Sequence, residues 1–504
     1  MFDIIKKTKQ LYMPPEAPPK KQNDKKLSED ICSNINDIKK LFHNSSDLTV
    51  KNMSLMLNNA RIHLAVLTME GLVDKETLAA SITNPISNYK SENYSGEDLL
   101  QLLESDIITI SDHTRTDTLF DLSQKLMSGF ACIMINGCSI AVAAGVQGYA
   151  FRGVEEPDTE AVAKGSREGF AEPLRVNISL IRRRFKNPGL KFETMTIGDI
   201  SQTDVCIGYL NGAVSEEILS EVRTRLKKVT LSTLLGSGYL TSYLDDDGSA
   251  LFSGVGTTER PDTACAKLSE GRIIIIVDGT PNVLYVPHLM AENFQTFDDY
   301  TNRPYFAFGA RLLKYISFIL SVFLPGLYVA AATFNPELFP GQLLTKVAGS
   351  VAQTPFSVFT EVFLFTGIYE IMREAGLRLP KTLGHAVSII GGLVIGDTAV
   401  NSGFIGAPTL MIVALTVICS YVIPDLYAPV AILRTVFLIV GGIWGVWGII
   451  LLFCILLVNL CSKKSFGIPF TAPVAPFDLF GQRDVVFRAD WKTLAHKDVK
   501  VQDI

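Results

Sequence analysis

One stretch of this chain sets acidic groups among apolar neighbours at helical spacing, a pattern from which an ion pathway can be built. In Pro355–Gly376, PFSVFTEVFLFTGIYEIMREAG, the residues Thr360, Glu361, Leu364, Ile368, Ile371 and Glu374 fall on one face of an α-helix, with Ser357 and Gly367. Phe359, Phe363, Phe365 and Tyr369 occupy other positions and suit packing. An ionised carboxylate facing lipid costs roughly 3 kcal/mol. Glu361 is therefore expected to face water, to meet a cation such as Arg311, Lys314 or Arg434, or to hold a proton. Repeated around an axis, this face makes an acidic ring at Glu361, an apolar neck at Leu364 and Ile368, and a second acidic ring at Glu374. Acidic rings favour cations, and an apolar neck gates by dewetting.

A second charged pattern lies in residues 165–191, GSREGFAEPLRVNISLIRRRFKNPGLK. Leu174, Ile178, Ile181 and Phe185 recur at helical spacing, and Asn187-Pro188-Gly189 stops the helix. Arg182 and Arg184 stand on it beside the acidic stretch Glu155–Glu160. Charge-assisted Arg–carboxylate bonds across a protomer boundary are their expected use. A net charge of -5 without a basic stripe argues against nucleic acid as a partner. The 8 cysteines form no CxxC pair and the 6 histidines no metal-ligand spacing. No P-loop, Rossmann fingerprint or nucleophile–base set is present. No metal, no cofactor and no enzymatic activity are expected.

The element that must position the acidic face is a helical membrane domain. Uncharged runs occupy Tyr315–Pro336, Thr398–Pro424 and Thr435–Ser462, and a bilayer core needs roughly 20 apolar residues. Lys314–Thr333 reads as the first span, with Arg303, Arg311 and Lys314 marking a cytoplasmic flank. Phe334–Thr354 reads as an outside loop and Pro355–Gly376 as the second span. Thr382–Gly403, short and interrupted by Asp397, is expected to be re-entrant. Phe404–Pro424 and Ala431–Cys461 then complete four full spans and leave Lys463, Lys464, Arg483 and Arg488 inside.

The first half of the chain is polar and lacks a signal peptide, so it is expected in the cytosol. Its predicted organisation is a flexible basic tail at 1–30, a first subdomain at 31–155 and a second, α/β subdomain at 156–280. Helix is predicted across 27–75, where Leu55, Ile62, Val66 and Met69 recur at helical spacing. Asn136-Gly137 between two apolar runs predicts a tight hairpin. Strands are predicted at Asp204–Leu210 and Arg272–Val277, and a Ser-capped helix at Ser215–Val229. An interfacial connector at 281–305, the membrane domain at 306–461 and a cytosolic tail at 462–504 follow. The fold class is thus α+β with an α-helical membrane part: two α/β subdomains, then a polytopic helical transmembrane domain.

Several segments, taken in order, resemble the A subunits of bacterial spore germinant receptors. In Glu168–Lys191 they are Glu168, Phe170, Glu172, Asn177, Leu180, Arg182, Arg184, Asn187-Pro188 and Leu190-Lys191. Then come Asp278-Gly279-Thr280-Pro281, Val286-Pro287 and Asp298-Asp299-Tyr300. Leu324-Pro325, Tyr328-Val329, Phe334, Pro336 and Glu337 form a third group. Glu370-Ile371, Arg373-Glu374-Ala375-Gly376 and Arg378-Leu379-Pro380 form a fourth, and Ser465-Phe466-Gly467 with Pro469 and Pro473 a fifth. The resemblance covers about residues 160–475. It implies a multi-pass protein of the spore inner membrane with both termini cytosolic. It also implies a permease-like B subunit and a lipoprotein C subunit as partners, membrane lipid around the helices, and a homo-oligomer, a pentamer in the family. The function it implies is a nutrient-gated ion channel that triggers germination. The alternatives are a transporter subunit, for which no half-repeat is seen, and a sporulation scaffold with the same architecture.

Overall fold

The computed structural model describes residues 25–58, 60–91, 99–148, 156–157, 159–379, 396–478 and 481–494. The described residues form two compact units. One runs to His288 and includes Ser465–Ile468 and the residues from Asp490; the other comprises Leu289–Lys464 and Pro469–Ala489.

The first unit opens with α1 (Ile31–Leu41), whose N-cap Asp30 accepts from the amides of Cys32 and Ser33. The helix predicted to continue from there is absent. Residues 48–69 instead form an antiparallel pair, β1 (Leu48–Leu57) and β2 (Ala60–Met69), from Leu48 opposite Met69 to Leu57 opposite Ala60. Every residue from Leu64 to Met69 is buried. A strand covered on both faces loses the period-2 signal, so helical spacing there was accidental. With β3 (Lys90–Ser91), β4 (His113–Thr116), β5 (Phe130–Ile135) and β6 (Ala141–Gly145) they make a sheet of order β3-β1-β2-β5-β6-β4. α2 (Leu119–Met127) and α1 cover one face, closing a core of Ile38, Phe42, Leu67, Leu122, Leu126 and Met134.

β5 and β6 pair as predicted, Ile133 opposite Val142, but across a longer loop than two residues. Asn136 is drawn out of the turn: its amide donates to the His63 carbonyl at 2.9 Å and its side chain accepts from the Ile31 amide at 3.4 Å. Gly137, at φ 89°, takes the left-handed position.

The second sheet, order β7-β8-β10-β11-β9, is antiparallel throughout. Its strands are β7 (Leu190–Ile197), β8 (Thr203–Leu210), β9 (Gly256–Thr258), β10 (Ile273–Val277) and β11 (Val283–Val286). α3 (Leu174–Arg184) buries Leu174, Ile178 and Ile181 against Phe192, Ile274 and Leu268 on one face, as its spacing predicts. α4 (Glu216–Lys227) and α5 (Gly238–Leu244) cover the other; α6 (Pro261–Ser269) joins α3. Ser215 is the N-cap of α4, but its side chain makes no cap bond. The predicted connector begins too early, because Val283–Val286 is a strand of this sheet. Phe466 and Ile468 also pack on this sheet's core, and Arg225 lies 4.3 Å from the Phe466 ring centroid.

A buried ion pair latches the two sheets together. Arg182 of α3 donates from Nε and Nη2 to the two carboxylate oxygens of Asp47 at 2.9 and 3.0 Å, and from Nη1 to the Leu190 carbonyl at 2.9 Å. Ser45 Oγ bonds Asp47 at 2.5 Å and accepts from the Phe192 amide at 3.0 Å. Arg182 is thus consumed inside the protomer and is not free for a subunit contact, which corrects its predicted role. On the same edge strand, partial burial alone would raise the carboxyl of Glu193; hydrogen bonds from Arg223, Lys191 and Tyr209 outweigh it and hold the group at about 2.

Two outcomes follow for the first unit. R182A strands Asp47 in the interior, and we expect a loss of about 3–5 kcal/mol in chemical denaturation followed by fluorescence. The value for Glu193 lies below its ordinary 4.5, so its contribution is full above that pH and disappears as the pH falls toward 2. In E193Q the stability curve should flatten over that window; an unchanged slope would show that the cluster does not carry the acid response.

Candidate functional site

The second unit is helical. Its elements are α7 (Pro304–Phe334), α8 (Gly341–Val351), α9 (Val358–Arg378), α10 (Gly396–Asn401), α11 (Ala407–Tyr421) and α12 (Tyr427–Ser462). Among the described residues two helices are long and apolar enough to cross a membrane, α7 and the helix that ends at Ser462; α11 is apolar but shorter. Of the predicted re-entrant block Thr382–Gly403, residues 382–395 lie outside the described residues and α10 is its described helix.

The longest apolar run does not form one straight span. Gly445, at φ 63° and ψ -153°, breaks α12. The Phe323 ring of α7 lies 4.6 Å from that of Phe437 and 5.5 Å from that of Phe453, centroid to centroid. In a straight helix those two residues stand about 24 Å apart. The chain therefore doubles back at Gly445, and both arms pack on α7. Contact is closest where side chains are missing: a Cβ on Gly326 would stand 2.6 Å from the Phe437 carbonyl oxygen, and one on Gly441 2.6 Å from that of Gly326.

The face predicted on α9 divides in two. Leu364, Ile371 (71% exposed) and Glu374 are open on the protomer surface, and Thr360 and Ile368 are half-buried. Glu361 turns the other way. It is 1% exposed and shares the inward side with Val358, Val362 and Thr366. Its Oε2 accepts from the Gly406 amide at the start of α11 at 3.3 Å, while Oε1 has no hydrogen-bond partner among the described residues. None of the cations considered for it pairs with it. Tyr421, at the far end of α11, meets Tyr369 edge-on at 6.3 Å. α9 and α11 thus run in the same direction, and the chain leaves α9 at the end opposite to where α11 begins.

Two charge clusters hold this unit. In the first, Arg434 (1% exposed) forms an ion pair with Glu370, which also accepts from the Tyr427 hydroxyl at 2.6 Å and faces Arg373 at 3.4 Å. In the second, Arg311 is fully buried and donates to Asp299 at 2.9 Å and to Asp484 at 2.8 Å. Lys314 stands 3.4 Å from Asp299; Tyr300 donates its hydroxyl to Asp484 at 2.7 Å; Arg488 donates to the Asn302 carbonyl at 2.9 Å. The residues after the last helix are thereby fixed to those before the first. Neither Glu370 nor Asp299 stood out as a site residue in the sequence: Glu370 meets a cation 64 residues away, and Asp299 meets Arg311 and Lys314 across the turn between its own short helix and α7.

The sequence segments singled out above meet one another. Asp278 accepts from the Leu174 amide at 2.8 Å, and Asn177 ties back to Ala171 at 2.8 and 2.6 Å. Glu168 takes both Arg183 and Arg184 at 2.5 Å; partial burial would raise its carboxyl, but these bonds lower it. Arg184 therefore pairs with Glu168 and Ser166. Of the acidic stretch predicted as its partner, Glu156 pairs with Arg167 at 3.8 Å and Glu160 accepts from Thr258 at 2.7 Å. Among the described residues no cluster of His, Cys, Asp or Glu fits a metal.

Residues 36–499 match the Bacillus/Clostridium GerA spore germination protein family. The chain belongs to the GerA family. Spore germination protein KA of Bacillus subtilis is 37% identical over 92% of this chain and 85% of that protein. Spore germination protein B1 of the same organism is 31% identical over 92% and 95%. The crystal structure of the N-terminal domain of the A subunit of the Bacillus megaterium spore germinant receptor GerK3 is 28% identical, covers 53% of this chain and 99% of that one, and gives a TM-score of 0.43. As a GerA protein the chain is a spore germination protein of the germinant-receptor A-subunit family.

The glycine contact is testable. G441V should cost about 1–3 kcal/mol, read as a lower Tm of the detergent-purified GerA chain, because the valine meets the Gly326 backbone. A Cβ at Gly309 meets nothing within 4 Å among the described residues, so G309A should not lower the Tm and should raise it slightly, alanine being the better helix former.

Proposed function

We propose that this chain is the membrane subunit of a spore nutrient receptor, that it oligomerises in the spore inner membrane, and that it conducts cations when nutrient binds. The observation that carries this reading is the open face of α9. Leu364 and Ile371 put large apolar groups on the protomer surface, and Glu374 puts a charge one turn away. Such a mixed stripe suits neither lipid alone nor bulk water, and several copies around an axis satisfy it. The lining then comprises Thr360, Leu364, Ile368, Ile371 and Glu374; Glu361, turned inward, drops out. Arg184 is retained as a candidate at the subunit contact, and Arg182 is not. A permease-like B subunit and a lipoprotein C subunit are the proposed partners, and membrane lipid surrounds the bundle.

Membrane insertion is supported by α7, by the apolar arms of α12 and by a relative described as an uncharacterized membrane protein, 33% identical over 94% of this chain. The bond between Asp484 and Arg311 supports an even number of crossings with both ends of the bundle on the cytosolic side. The parallel course of α9 and α11 and the reversal at Gly445 count against four straight crossings.

Ion release from vesicles containing the reconstituted receptor, with and without a nutrient mixture, tests this directly. Nutrient should raise the flux in the native receptor. L364S, which removes the apolar neck, should leak without nutrient. Nutrient-independent, unaltered flux in both proteins would reject the channel reading.

A further inference from the structure

We propose that the C-terminal strap, residues 469–478 and 481–489, together with the first turn of α7, is an interfacial anchor that lies in the phospholipid headgroup layer. This rests on the membrane reading above.

Three observations carry it. First, the strap belongs to the helical unit: Phe470 is fully buried, its carbonyl accepts from the Met290 amide at 2.9 Å, and Asp484 and Val485 both accept from Arg311. Second, its outer surface is aromatic. Phe487, stacked on Phe308 at 4.4 Å, is 65% exposed, and Tyr305, one turn before Phe308, is 86% exposed beside the equally open Phe306. Third, further along α7 the aliphatic side chains of Leu312, Leu313, Ile316 and Ile319 are all exposed.

A stripe of aliphatic residues that ends in aromatic residues is what a membrane helix presents as it leaves the hydrocarbon for the headgroups. The exposed cation Arg303 stands at that same end, suited to anionic headgroups. A patch this large facing bulk water is an aggregation hazard, whereas a bilayer interface covers it fully. The occupant is therefore lipid. The strap does two things at once: its inner side holds Arg311, and its outer side fixes the depth at which α7 enters the membrane.

Depth-resolved quenching in the full-length chain tests the proposal. Trp444, Trp447 and Trp491 are replaced by Phe, and either F487W or I319W is added. The protein is placed in vesicles of phosphatidylethanolamine and phosphatidylglycerol whose acyl chains carry bromine near the headgroup or near the chain end. F487W keeps an aromatic ring on Phe308. Its emission should fall by about half with shallow bromine and little with deep bromine, the reverse of I319W. If F487W is unquenched at both depths, or quenched mainly by deep bromine, while I319W is quenched by deep bromine, the anchor is wrong and the membrane reading stands. If I319W is unquenched at either depth, both fall.

Discussion

The helical unit depends on one buried guanidinium. Arg311 has no exposed surface, so its charge must be met within the protein, and it is met from two directions. Asp299 reaches it from the short helix Phe297–Thr301 and Asp484 from the strap beyond the last helix. A lone buried cation is prohibitive, and removing one partner of such a cluster costs far more than the cluster contributes when complete. The two ends of the bundle are therefore obliged to come together. The glycine contact between Gly326 and Gly441 and the reversal at Gly445 arrange what lies between those ends.

The first unit uses the same device. Arg182 and Asp47 join two sheets as Arg311, Asp299 and Asp484 join two ends of a bundle. Arg182, Glu168, Asp278, Asp299 and Glu370 all lie in segments that resemble the family, and each is met by side chains or amides of the same chain. On the surface of α9 the large apolar side chains of Phe363, Leu364, Ile371 and Leu377 remain open, and Glu374 is exposed in a pair with Arg378 at 2.6 Å. It is there that other copies of the chain have something to meet.

Much of the fold was legible because it rests on local rules. Leu174, Ile178 and Ile181 line the buried side of α3, the strand at Ile273–Val277 is fully buried, and α9 starts and stops near its predicted limits. Misreadings arose where local pattern is degenerate. The run from Leu64 to Met69 is apolar at every turn but one, so period 3.6 and period 2 fit it equally. The run from Thr435 to Ser462 contains no charge or proline to mark a reversal; the spacing of Gly441, Gly442, Gly445 and Gly448 was the available sign. Glu361 was placed on the open face because helical spacing fixes angles between residues but not which side meets the bundle. Arg311, Glu370 and Asp484 could not be paired from sequence at all, since partners more than 60 residues apart leave no local trace.

The central claim is that Arg311 and Asp484 hold both ends of the bundle on one side of a membrane. Single cysteines at Thr301, Leu338 and Ala489, in a chain otherwise free of cysteine, report it through an impermeant thiol reagent applied to intact cells. Leu338, between α7 and α8, should be labelled, while Thr301 and Ala489 should react only after the membrane is opened. Labelling of Ala489 in intact cells, with Thr301 protected, would put the two ends on opposite sides and contradict the account.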